Sequence, residues 1–244
     1  MKILCVIPSR MASTRLPRKP LVHIQGKPMI QWVYENASRC KAFIKVVVAT
    51  DSQEIADLIV SIGGEAVMTD PDCPTGTDRV AAVADAFPDM DVVVNLQGDE
   101  PFVKPRMLEQ LITPYLDGEM PEMTTLAYPL DMKNKYLDAG TVKVITDLNQ
   151  NAIYFSRAPI PFFRFTYHAN APVYNHMGLY AFRRDFLMQY RYMKPTPLEL
   201  IESLEQLRVI ENGFKIRVCL TEEKTLEINT PEELEQAQEF DYTV

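Results

Sequence analysis

Residues 7–21, IPSRMASTRLPRKPL, hold Arg10, Arg15, Arg18 and Lys19 and no acidic side chain. Guanidinium forks and a lysine point charge are the groups that neutralise oligophosphates. Pro17 and Pro20 remove amide donors and restrict the residues before them, so the stretch is a cationic loop rather than a core helix. A second set of reactive types closes the apolar run VVVNLQGDEP, residues 92–101, with Gln97, Gly98, Asp99 and Glu100. A carboxylate at a strand's carboxyl end can hold Mg²⁺, a hard cation often shared with substrate phosphates, and the glycine permits close ligand approach. An aspartate in a Gly-Asp turn also commonly bonds its own backbone. From residues alone, a solvated basic loop and a small-anion site both remain open. Position favours the second, because open α/β sheets bind ligands beyond the carboxyl ends of their strands.

Composition excludes several classes. The formal charge of −8 over 244 residues argues against a nucleic-acid surface, which needs extended positive patches. Cys5, Cys40, Cys73 and Cys219 form no paired spacing, so neither a zinc site nor a disulfide framework is expected. The loop lacks both the dinucleotide fingerprint and the P-loop pattern. The opening MKILCVIP is too short for a signal peptide's apolar region, and no stretch approaches the roughly 18 apolar residues of a membrane span. A soluble, unexported, cytoplasmic protein is the expectation.

The elements that must position these groups follow from periodicity. KILCVI, IKVVVAT, EAVMT, DVVVNLQ, MTTLAYP and TVKVIT read as buried strands. Between them PMIQWVYENASRC, SQEIADLIVSIG, GTDRVAAVADAF and PRMLEQLITPYLDG carry helical periods. This alternation predicts α/β structure with a largely parallel sheet. Asp51 before Glu54, Thr196 before Glu199 and Thr230 before Glu233 have capping-box spacing. Residues 152–182 are aromatic and proline-rich without a helical period, and predict an irregular excursion followed by a strand. No repeat or linker divides the chain, so one domain over 1–244 is expected, with a dimerisation excursion near 150–175.

In order along the chain, IPSRMASTRLPRKPL, TGTDR, VNLQGDEP, VKVITD, YFSRAPIP, HMGLYAF and PLELIESLEQLRV resemble the 3-deoxy-manno-octulosonate cytidylyltransferase (CMP-Kdo synthetase) family over nearly the whole length. The resemblance implies a nucleotidyltransferase fold, a mixed, mainly parallel seven-stranded sheet with helices on both faces, and a homodimer. It implies activation of an eight-carbon sugar acid, Kdo, by CTP with Mg²⁺ as cofactor, giving CMP-sugar and pyrophosphate for lipopolysaccharide synthesis, without nucleic acid or membrane. By motif it puts Pro8, Ser9, Arg10, Arg15, Lys19, Thr75, Gly76 and Asp99 at the nucleotide, with Lys19, Arg10 and Asp99 as catalytic groups. It puts Arg79, Gln97, Arg157, His176, Tyr180, Glu202, Glu205 and Gln206 at the sugar. Glu202 and Gln206, four apart, are expected to share one helix face, with Glu205 beside them.

Two positions depart from the family pattern. Arg18 stands where LPGKP usually has glycine, so either the backbone there needs no positive φ or the loop is reshaped. Asn229 stands where a second metal-binding aspartate is usual, which leaves it a doubtful ligand beside Asp99. On charge alone, Asn229→Asp is expected to lower the Mg²⁺ requirement. The departures motivate two alternatives: an 8-amino congener of Kdo as acceptor, and a catalytically weak nucleotide-sugar binding protein.

Overall fold

The run KILCVI becomes β1 (Ile3–Ser9), buried at every residue. A strand covered on both faces reads as continuous rather than alternating apolar sequence. The computed structural model describes residues 1–13, 15–164, 171–223 and 225–242, which form two compact units, 1–109 with 225–244, and 110–224.

In the first unit, β1 is followed by a two-residue hairpin, β2 (His23–Ile24) and β3 (Lys27–Pro28), and by α1 (Met29–Ser38). Then come β4 (Lys45–Thr50), α2 (Gln53–Ser61), β5 (Glu65–Met68), α3 (Gly76–Asp85) and β6 (Val92–Asn95). The four long strands run in the order β6-β1-β4-β5, all parallel. Parallel neighbours need crossovers, and the helices supply them: α1 packs on β4, α2 on β5 and α3 on β1. The C-terminal α8 (Pro231–Glu239) belongs to this unit. Its Ala237 joins Leu16, Ile24, Met29, Phe102 and Ile228 in a buried cluster, where Phe102 stacks on Phe240 with centroids 4.5 Å apart. Leu16 thereby pins the middle of the basic loop to the core while its charged neighbours stay outside.

In the second unit, entered along α4 (Pro105–Leu116), lie β7 (Met123–Pro129), β8 (Lys143–Thr146), β9 (Ala152–Ser156) and β10 (Val173–Arg183). They are followed by α5 (Arg184–Tyr190), α6 (Pro197–Glu202), α7 (Leu207–Glu211) and β11 (Ile216–Leu220). β7 pairs in parallel with β11 and antiparallel with β10, so the sheet of this unit is mixed. β8 and β9 are additional. Residues 152–156, expected to be irregular, form β9 because an antiparallel partner, β8, lies alongside from Lys143–Ser156 to Thr146–Ala152. Part of the excursion near 150–175, residues 165–170, lies outside the described residues.

Two local expectations are corrected. Asp51 does not cap α2; Ser52 holds the N-cap position, and Asp51 Oδ2 instead accepts from Arg79 Nη2 at 3.1 Å. Glu202, Glu205 and Gln206 do not share a helix: α6 ends at Glu202, Ser203 turns to φ 53°, and α7 begins only at Leu207. The Thr230 box is present, with Glu233 N donating to Thr230 Oγ1 at 3.3 Å and Thr230 N to Glu233 Oε2 at 2.9 Å. The Thr196 amide likewise donates to Glu199 Oε2 at 3.0 Å.

Candidate active site

The carboxyl ends of β1 and β6 and the first turn of α3 surround a cavity of about 620 Å³ in the first unit. Pro8, Ser9, Arg10, Arg15, Lys19, Thr75, Gly76, Arg79, Gln97, Asp99 and Asn229 all line it. All eight residues predicted at the nucleotide thus lie together, with two of those predicted at the sugar.

The loop reaches the cavity through a backbone device that sequence reading left undecided. Arg18 adopts φ 55°, ψ 32° immediately before the short 3₁₀ turn Lys19–Leu21. The left-handed conformation expected of a glycine is retained with an arginine in it, and Arg18 pairs with Glu54 at the surface. Lys19 therefore enters the turn directed inward. Its Nζ donates to Asp99 Oδ2 at 2.7 Å and to Asn229 Oδ1 at 2.9 Å. Arg15 Nη2 donates to the same Asn229 oxygen at 2.8 Å. Arg10 is exposed at the rim.

Asp99 is placed by Gly98, although not for the reason its sequence suggested. A Cβ at Gly98 would sit 3.0 Å from the carbonyl oxygen of Pro8, so the glycine lets this loop close on the end of β1. Behind Asp99 the electrostatics are strained. Desolvation, then the charges of Glu227 and Asp99, push the Glu100 carboxyl well above its ordinary range. Thr225 Oγ1 donates to it at 3.0 Å. The loop cations thus face a patch richer in carboxylates than the sequence motif alone indicated.

Opposite, Asp78 N donates to Thr75 Oγ1 at 3.1 Å and caps α3, whose N-terminal end, starting at Gly76, favours an anion. Ser9 Oγ is buried with no hydrogen-bond partner among the described residues. Arg79 is 3% exposed and held by Asp51 and Thr69. Gln97 Nε2 donates to Asn95 Oδ1 at 3.0 Å, and Asn95 Nδ2 donates in turn to Thr77 Oγ1 at 3.1 Å.

The remaining predicted sugar residues belong to the second unit and fall into two groups there. Glu202 accepts from Ser156 Oγ at 2.6 Å and from Arg157 N at 3.0 Å, while Arg157 Nε donates to the Glu202 carbonyl at 3.0 Å. Lys143, fully buried, gives its Nζ to the carbonyls of Asp138 at 2.9 Å, Thr141 at 2.7 Å and Arg157 at 2.5 Å. In the other group, Tyr180 OH donates to Gln206 Oε1 at 3.1 Å, and the His176 ring lies 5.7 Å from that of Tyr180. His176 Nε2 is 3.0 Å from Thr125 Oγ1, and burial pushes its pKa down to about 3, so the ring is neutral. The carbonyl of Glu205 accepts from Tyr190 OH at 3.3 Å.

The family profile described as Cytidylyltransferase matches residues 4–217. A 3-deoxy-manno-octulosonate cytidylyltransferase of Acaryochloris marina is 58% identical over 98% of this chain and 97% of its own. The chain belongs to this family. A relative of the same name from Trichlorobacter lovleyi is 46% identical, covering 98% of both chains. Among solved structures, a CMP:2-keto-3-deoxy-manno-octonic acid synthetase complexed with CTP superposes with a TM-score of 0.91 at 39% identity, over 98% of both chains. The fold is therefore the nucleotidyltransferase fold. A 4-diphosphocytidyl-2C-methyl-D-erythritol synthase from Anaerococcus prevotii, 17% identical with a TM-score of 0.64 over 98% of this chain and 97% of its own, shares the fold alone.

Sequence reading missed Glu227, which accepts from Asn229 Nδ2, and Asp51, which holds Arg79. The first had a signal: residues two apart in extended chain share a face. The second had none, since 28 residues separate its partners.

Proposed function

We propose that the chain transfers the cytidylyl group of CTP to 3-deoxy-manno-octulosonate, releasing pyrophosphate, as an early step toward lipopolysaccharide. The observation that carries this reading is the convergence of Lys19, Arg15, Asp99 and Asn229 in the cavity at the end of β1. The relatives' names add the sugar. They do not favour the 8-amino congener or a weak binding protein.

In the reaction, the anomeric oxygen bonds to the α-phosphorus as the bond from that phosphorus to the bridging oxygen breaks. The hydroxyl proton leaves to solvent and pyrophosphate departs. In-line displacement of this kind is mostly alignment and charge neutralisation. Lys19, Arg10 and Arg15 would take the phosphates, Ser9 Oγ and the α3 N-terminus at Thr75 and Gly76 would add neutral donors, and Pro8 shapes the floor. Arg79, Gln97, Arg157, His176, Tyr180, Glu202, Glu205 and Gln206 are the groups we assign to the sugar acid, with cations for its carboxylate and amides and acids for its hydroxyls.

Mg²⁺ fits the donors present. Asp99 Oδ2 and Asn229 Oδ1 are hard oxygens converging on one cationic point, Lys19 Nζ. Asp99 and Asn229 would hold the ion, which supplies charge neutralisation on the phosphates. We further propose a single catalytic domain over 1–244, a homodimer and a cytoplasmic setting. Among the described residues no helix is long and apolar enough to cross a membrane.

Pyrophosphate release from CTP, Mg²⁺ and Kdo tests the reading. Turnover that is lost in Asp99→Asn, and at least tenfold lower with UTP, is expected. Equal turnover with UTP, or an active Asp99→Asn enzyme, overturns it. Sedimentation showing only monomer at micromolar concentration removes the dimer.

A further inference from the structure

Asn229 is held at every polar atom that decides its orientation. Its backbone N donates to Glu233 Oε2 at 2.6 Å, at the entrance to α8, so the main chain is fixed. The freedom left is a flip of the side-chain amide. As placed, Oδ1 accepts from Lys19 Nζ and Arg15 Nη2, and Nδ2 donates to Glu227 Oε1. A flip would set an NH₂ against two cations and a carbonyl oxygen against a carboxylate, losing all three bonds.

We propose that Glu227 is a positioning residue of the nucleotide site: by accepting from Nδ2 it fixes the Asn229 oxygen toward Lys19 and Arg15, so that an amide serves there as an acidic group would. This deepens the reading given under Proposed function and rests on it. Through the amide, Glu227's charge polarises the oxygen that the cations grip, and hydrogen bonds in series strengthen one another. Glu227 and Asn229 are then a matched pair. Asn229→Asp alone presses an anionic oxygen against Glu227, reversing the benefit expected from charge alone. Changing Glu227 to Gln at the same time replaces the clash with an amide donor.

The test is calorimetric titration of CTP with Mg²⁺, which needs no turnover, into the unmodified chain, Glu227→Gln, Glu227→Met, Asn229→Asp and the double variant Asn229→Asp/Glu227→Gln. Glu227→Gln keeps an acceptor oxygen but removes the charge, so binding is expected to weaken by about threefold. Glu227→Met removes the acceptor and should weaken binding by about tenfold, the loss of one charge-assisted bond. Asn229→Asp should be weakened similarly, with at least fivefold recovered in the double variant. A purely structural role at 227 would not produce that recovery. Equal binding by Glu227→Met and the unmodified chain, or by Asn229→Asp and the double variant, overturns the proposal while leaving the nucleotide site standing. Failure of the unmodified chain to bind CTP overturns the site reading itself.

Discussion

Lys19→Met keeps the length of the side chain and removes its charge, which separates the clamp from packing. Lys19 Nζ makes two bonds, 2.7 Å to Asp99 and 2.9 Å to Asn229, with the Lys19 and Asp99 side chains 14% and 23% exposed. Charge-assisted bonds contribute about 1.5–3 kcal/mol each when buried, and partial exposure lowers that, so the free protein should lose about 2–3 kcal/mol. For a chain of this size the melting temperature should fall by roughly 5–10 °C. Turnover should fall further than stability requires. Losing one preorganised electrostatic group costs about 10²-fold in rate, or about 2.7 kcal/mol. Pyrophosphate release at 25 °C, where the variant stays folded, isolates this second effect. Turnover within about threefold of the unmodified enzyme would mean that the 2.7 Å pair with Asp99 serves the fold alone.

Other sites give sharper signs than sizes. Arg18→Gly exchanges relief of a left-handed non-glycine conformation, about 1–2 kcal/mol, for greater unfolded-chain entropy and one exposed ion pair, so stability should stay within about 1 kcal/mol and turnover within threefold; a tenfold loss of turnover would place Arg18 among the substrate contacts. His176 titrates near 6.5 when unfolded and near 3 when folded, so the unfolded chain binds the extra proton between those values. Stability should then fall as pH falls through that window, by up to about 1.4 kcal/mol per unit, and urea titrations of His176→Gln should show a flatter slope. An unchanged slope would locate the acid sensitivity elsewhere. Lys143→Met leaves three carbonyls, one buried and two part-buried, without their ammonium donor and should cost about 2–4 kcal/mol by chemical denaturation, whereas Lys143→Leu would add a packing defect to that; a loss under 1 kcal/mol would show that water replaces the ammonium.

Legibility followed the range of the interaction. Strands such as IKVVVAT are legible because burial on both faces demands continuous β-branched sequence, and the Thr230 box because its partners are three residues apart. The basic loop declared its charge, and its place after the first strand predicted its position at the cavity. β9 was not legible, because AIYFS becomes a strand only through its pairing with β8. The helix through Glu202 and Gln206 failed for a related reason. Nothing between them is a conventional helix breaker, yet Ser203 turns left-handed, Leu204 N reaches back to the Glu199 carbonyl at 3.2 Å, and Glu199 itself is committed to a buried pair with Arg208. Tertiary pairing outweighed a run of good helix formers.

The departures at positions 18 and 229 show why a motif compared residue by residue misjudges chemistry. At 18 a glycine is expected for its freedom at positive φ, and the arginine meets the same backbone demand while adding a surface ion pair with Glu54. At 229 an aspartate is expected for its oxygen and its charge. The amide supplies the oxygen, and Glu227 carries a carboxylate that the amide contacts directly. On the proposal made above, the potential at the oxygen facing Lys19 and Arg15 is set jointly by two residues. Loss of a carboxylate at one position need not mean loss of a charged site when its hydrogen-bond partner is itself a carboxylate. The same reasoning makes the reverse substitution costly by itself, because restoring the expected aspartate would place two anions in contact.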